Sequence, residues 1–124
     1  MAARYDQLLR SHTAITPLAA VDYPCTHAHH LYVVQLDTDQ LGMTRDDLVT
    51  ALQGHQVGTG LHFPAVHLKK YYRERYGYTR ADCPQACKAA DRIVSLPLYP
   101  TLREADVDRV VQALFSVTGH ACEF

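Results

Sequence analysis

Eight histidines in 124 residues give this chain more imidazole than most chains of its length carry, and seven of them precede residue 68. Three crowd into His27-Ala28-His29-His30, and two more stand at His62 and His67. Imidazole titrates near neutrality, ligates metals and hydrogen-bonds oxyanions, so such clustering has to be weighed as a site. A zinc site needs three or four converging ligands in tetrahedral geometry, and the available donors are His27, His29, His30, His62, His67, Cys83 and Cys87. Their spacing departs from the short zinc signatures, because Cys83-Pro84-Gln85-Ala86-Cys87 puts three residues between its cysteines and has no second pair. On a strand His27 and His29 would share one face and His30 would take the other. A free-standing His-rich module that binds metal or another protein is therefore the alternative reading of this chain.

Other chemistries find less support. Ser95 lies between Val94 and Leu96 in an apolar run, without the flanking glycines of a nucleophile elbow. Cys83 and Cys87 would be reactive at a helix N-terminus, yet a buried thiol is the commoner fate of such residues. Gly58-Thr59-Gly60 lacks the third glycine and the following helix of a phosphate-cradling loop.

The composition narrows the class. With 12 basic and 13 acidic residues spread along the chain, the net charge of −1 leaves no clustered cationic footprint for nucleic acid or a membrane surface. The one small basic group, Lys69, Lys70, Arg73 and Arg75, is interleaved with Tyr71, Tyr72 and Glu74 and reads as a solvated helix face. No stretch approaches the ~20 apolar residues of a membrane span, and Met1 to His12 has no signal-peptide core, so a cytoplasmic location is expected. Four scattered cysteines, Cys25, Cys83, Cys87 and Cys122, are then expected to stay free thiols.

The elements that would position these residues follow from periodicity. Tyr5, Leu8 and Leu9 have helical spacing within 2–10, and that helix starts without a capping residue. Residues 11–26, with Pro17 and Pro24, form a connector, and Leu31 to Leu36 is rich enough in β-branched residues to be a strand. Thr44 with Asp47 makes a capping box ahead of Leu48, Val49 and Leu52, and Gly54 closes that helix. Val57 to Phe63 reads as a second strand ended by Pro64; helices follow over 68–76 and from Pro84. Ile93 to Leu98 is a third strand. The last helix opens on a capping box at Thr101 and Glu104, buries Val107, Val110, Val111, Leu114 and Phe115, and stops at Gly119. The fold class is α+β, a small three-stranded sheet with helices packed on it.

Three blocks, His27 to Asp37, Gly58 to His67 and Asp91 to Pro100, together resemble the C-terminal domain of the DegT/StrS family of sugar aminotransferases. Tyr71 to Tyr78 and the capped helix of 101–117 fit the family's order, so the resemblance covers nearly the whole chain. The Gly58–His67 and Tyr71–Tyr78 blocks look closest to the branch that makes 4-amino-4-deoxy-arabinose on a uridine nucleotide for lipid A modification. The resemblance implies the small domain of a fold-type I aminotransferase, which passes an amino group from glutamate to a ketone on a nucleotide-linked sugar with pyridoxal phosphate (PLP) as electron sink.

That chemistry demands a Schiff-base lysine, which the family keeps in a preceding large domain. None of Lys69, Lys70 and Lys88 lies in a stretch resembling the family's lysine motif. The expected organisation is the tail of an inter-domain helix over 1–12 and the small domain over 13–124, with the large cofactor-binding domain absent. Such a chain, a truncated or split product, would be inactive alone, bind no PLP by itself, and await a separate large domain. Its uncovered face would favour self-association. By position, the resemblance makes His62, His67 and His30 the substrate-binding candidates and assigns no residue to the cofactor. Two departures from the family stand out: His29 replaces a usual aromatic residue, and Cys87 stands where glutamate is common.

Overall fold

A computed structural model of the chain describes residues 1–119. Its elements run α1 (Ala2–Leu9), β1 (Ile15–Pro17), β2 (Tyr32–Leu36), α2 (Thr38–Leu41), α3 (Arg45–Gly54), α4 (Lys70–Tyr76), α5 (Pro84–Arg92), β3 (Ile93–Leu96) and α6 (Glu104–Thr118), with a single 3-10 turn at Val66–Leu68. The strands form one antiparallel sheet in the order β1-β2-β3, so the expected α+β class holds. Strand β2 alternates as its period of two requires: Tyr32, Val34 and Leu36 are buried. They share one core with Tyr5 and Leu9 of α1, Leu48 and Leu52 of α3, and Val107, Val111 and Leu114 of α6. No helix among the described residues is long and apolar enough to cross a membrane.

The helix ends follow local chemistry. At α3 the Thr44 hydroxyl accepts from the Asp47 amide at 3.2 Å, and the Asp47 carboxylate takes the Thr44 amide at 3.0 Å, completing the expected capping box. The Thr44 hydroxyl also donates to the Asp47 carboxylate at 2.6 Å, and this bond first, then the one from the Thr44 amide, holds the Asp47 carboxyl below the ordinary carboxylate range. Helix α6 stops at Gly119, whose φ of 70° suits a residue without a Cβ. Tyr5 anchors α1: its hydroxyl donates to the Pro97 carbonyl at 2.9 Å and its ring stacks on Tyr32, centroids 4.6 Å apart. Tyr32 in turn donates to Asp6 at 2.6 Å. Burial pushes both phenols well above their ordinary pKa.

Three expectations are corrected. Val57 to Phe63 is not a strand, since Gly60 alone bridges to Ser95; Val57 spends its amide on the Leu52 carbonyl, closing α3. The third strand is Ile15–Pro17, inside the stretch read as connector, and its three residues ending in proline suit a sheet edge. Helix α6 begins at Glu104 rather than on a Thr101–Glu104 box: the Asp106 carboxylate takes the Arg103 amide at 3.0 Å, and Arg103 offers no side-chain acceptor in return. Helix α2 was not foreseen, although Asp37 caps it by accepting from the amides of Asp39 and Gln40, both at 3.2 Å. Cys25 and Cys83 are exposed free thiols and Cys87 a buried one, while Cys122 falls outside the described residues.

Candidate functional site

The segment after α3 places His62. Gly60 exchanges both backbone hydrogen bonds with Ser95 of β3, at 2.9 and 2.8 Å, which fixes the loop against the sheet. The chain then folds back so that the His62 Nδ1 lies 2.9 Å from the Ser95 hydroxyl, with the ring over Gly60. A Cβ at position 60 would stand 2.4 Å from the His62 Cε1, so only glycine admits this ring position. Ser95 is buried and His62 half-buried. One ring nitrogen is thus committed to the fold, and among the described residues Nε2 has no hydrogen-bond partner. Depending on tautomer, Nε2 donates or accepts a hydrogen bond, the behaviour wanted of a group that contacts a substrate oxygen.

His67 sits differently. Carried on the 3-10 turn, it is buried, with Nε2 3.4 Å from the Cys87 thiol. That thiol also donates to the Arg80 carbonyl at 3.6 Å, and the His67 ring meets Tyr78 edge-on. Ala65, Cys87 and Ala90, with Leu68, close this second small core. The cysteine at position 87 therefore belongs to a packed imidazole–thiol contact.

His30 is exposed on the loop before β2 and lines an open cleft of about 640 Å³ with His27, His29, Tyr23 and Tyr32. The His29 amide donates to His27 Nδ1 at 2.8 Å, and the two rings lie 4.2 Å apart. No hydrogen bond or ring contact among the described residues links any two of His30, His62 and His67. Nor, among the described residues, does any group of three His, Cys, Asp or Glu side chains come together to hold a metal. The metal-binding alternative has no observation in its favour.

Pyridoxal phosphate needs a lysine in an enclosed pocket, a partner for the pyridine nitrogen and donors for its phosphate. Lys69, Lys70 and Lys88 are all exposed, and Lys70 lies 3.9 Å from Glu74 in a solvent-facing pair. The described residues do not fit the cofactor.

Residues 1–115 match the DegT/DnrJ/EryC1/StrS aminotransferase family. The chain belongs to this family. Pyridoxal phosphate is the cofactor of the DegT/DnrJ/EryC1/StrS enzymes. The fold is similar to that of a part of DesV from S. venezuelae, solved in complex with a ketimine intermediate: 26% identity, TM-score 0.80, over 97% of this chain and 30% of that one. Helicobacter pylori PseC, an aminotransferase involved in the biosynthesis of pseudoaminic acid, shares the fold at 14% identity and TM-score 0.81, over 95% of this chain and 31% of its own. Spr1654 of Streptococcus pneumoniae, in its PLP form, gives 21% identity and TM-score 0.80 over 94% and 29%. The chain thus spans about three-tenths of the length of the solved family structures it matches.

Sequence reasoning singled out His62 but missed what holds it. From sequence Ser95 reads as part of an apolar strand, and Gly60 as a glycine that permits a bulge or a close backbone approach. The signal available was a lone hydroxyl inside the run Ile93 to Leu96, at the residue that Gly60 bridges.

Proposed function

We propose that this chain is the small domain of a PLP-dependent aminotransferase that moves an amino group from glutamate to a ketone on a nucleotide-linked sugar, in polysaccharide or lipid A sugar biosynthesis. The observation that carries this reading is the family match across residues 1–115. The ketimine complex of DesV, the 26% identical relative, supports the cofactor class. Within the family, the Gly58–His67 and Tyr71–Tyr78 blocks favour a uridine-linked keto-sugar leading to 4-amino-4-deoxy-arabinose.

In this reading the cofactor and its lysine reside in a large domain, and this chain contributes the substrate side. His62, held at Nδ1 by Ser95, presents Nε2 to a substrate oxygen. His30, exposed on the β2 cleft, is the second contact. His67, buried against Cys87, acts on substrate only through the segment it holds in place. The large domain is the principal partner, and without it the exposed Phe63, Val66, Tyr71 and Tyr76 favour self-association. A cytoplasmic location suits a nucleotide-sugar substrate.

The test is to mix the purified chain with a family large domain cut before its own small domain, and to follow co-elution and glutamate-dependent amino transfer to the uridine-linked keto-sugar. A complex with restored transfer, reduced at least tenfold by His62→Ala with co-elution intact, is the expected result. Restored transfer that His62→Ala leaves unchanged would remove His62 from the substrate side, and absence of any complex would contradict the domain assignment.

A further inference from the structure

Between the start of α3, the Pro64–Lys69 segment and α5 lies a concavity of about 290 Å³ lined in part by Leu61 and Leu68. Its polar wall is Arg45, Lys69, Arg80 and Asp91. The Arg45 side chain is only 19% exposed and is fixed at two points, Nε on Asp46 at 2.7 Å and Nη1 on the Ala90 carbonyl at 2.7 Å. These two bonds leave further guanidinium hydrogens uncommitted. Arg80 pairs with Asp91, the single carboxylate of the wall. Lys69 makes no salt bridge among the described residues. The wall therefore holds three cations and one carboxylate, Asp91 being engaged by Arg80 and Arg45 being paired at Nε with Asp46, which is not among the lining residues.

A pre-positioned guanidinium beside an uncommitted ammonium in a concavity favours a multivalent oxyanion. We propose that this concavity binds a phosphate-bearing small molecule, with Arg45 and Lys69 as its direct contacts and Arg80 shared between the ligand and Asp91. The site does not rest on the aminotransferase reading, because it uses none of the histidines assigned there.

The test is a titration of the 124-residue chain with sodium phosphate at constant ionic strength, read on the methyl resonances of Leu61 and Leu68, with sodium chloride as control. Saturable shifts in phosphate alone are expected. Lys69→Glu, at an exposed position, weakens binding by roughly fivefold or more, the size of one screened charge contact. Asp91→Asn releases Arg80 and tightens binding, an effect opposite in sign that general loss of structure would not give. Lys88→Glu, outside the concavity, leaves the affinity within about twofold. A pyrophosphate arm separates the two sources of the same chemistry: tighter binding than phosphate assigns a diphosphate ester, equal binding a monophosphate. Shifts that track chloride, or equal weakening by Lys69→Glu and Lys88→Glu, would reduce the effect to diffuse attraction and overturn the site.

Discussion

Along α6 every apolar side chain that the helical period turns inward is buried, whereas between Leu61 and Tyr78 the apolar residues stand largely in solvent. Val107, Val111 and Leu114 are fully buried, while Phe63 is 68% exposed and Tyr71 62%. The two regions lie in one small domain and draw on the same residue types. What differs is that α1, α3 and α6 close their apolar stripes on each other and on the sheet. The 61–78 segment is tied to the sheet through Gly60 and His62 and to α5 through His67, and Tyr71, Tyr72, Tyr76 and Tyr78 contact one another ring to ring. A region that carries its own packing reads as scaffold; one that leaves four tyrosines and a phenylalanine outside reads as a surface made to be covered.

The comparison breaks most clearly on core truncation. Leu52→Ala removes a fully buried side chain from the main core, and urea unfolding should show a loss of about 3 kcal/mol. A loss under about 1 kcal/mol would mean that α3 is not part of the scaffold.

Alkali sharpens the same point. Tyr5 and Tyr32 have pKa values raised in the folded state, so the fold holds their protons more tightly than the unfolded chain does. Their contribution is fully present below the unfolded value of about 10 and is lost as pH rises beyond it. Stability measured across pH 9 to 12 should therefore fall steeply past about pH 10. Tyr5→Phe should cost about 1 kcal/mol at neutral pH through the lost bond to Pro97 and should flatten that alkaline fall. An unaltered alkaline profile in the variant would remove Tyr5 from this account.

Thr44→Ala should cost about 1 kcal/mol by breaking the α3 capping box, with circular dichroism reporting frayed helix. Smallest is the effect on the exposed side: Tyr71→Ser should leave stability within about 0.5 kcal/mol while shifting sedimentation toward monomer. A large stability loss there would make the tyrosine face part of the scaffold after all.

Helices were legible in the sequence wherever a period and a cap coincided, as at Thr44 and along Val107 to Phe115. The sheet was legible in β2 and β3 but not in β1. Tyr32 to Leu36 and Ile93 to Leu96 carry enough β-branched residues to be recognised, but Ile15–Pro17 is three residues long and takes its place through pairing with β2. Val57 to Phe63 misled because the Val57 amide closes α3 and Gly60 alone of the segment bridges to the sheet. At the site, the family resemblance marked His62, His67 and His30, yet no local pattern distinguishes a ring fixed by a serine thirty-three residues away from one buried against a thiol. Those placements depend on Gly60 and on α5, which only the assembled fold brings near.

The central proposal is that this chain is the small domain of a PLP-dependent aminotransferase whose cofactor lysine lies in a large domain. Incubation of the purified chain with pyridoxal phosphate, borohydride reduction and peptide mass mapping tests it directly. The account predicts no stoichiometric adduct on Lys69, Lys70 or Lys88; a one-to-one adduct on any of the three would contradict it.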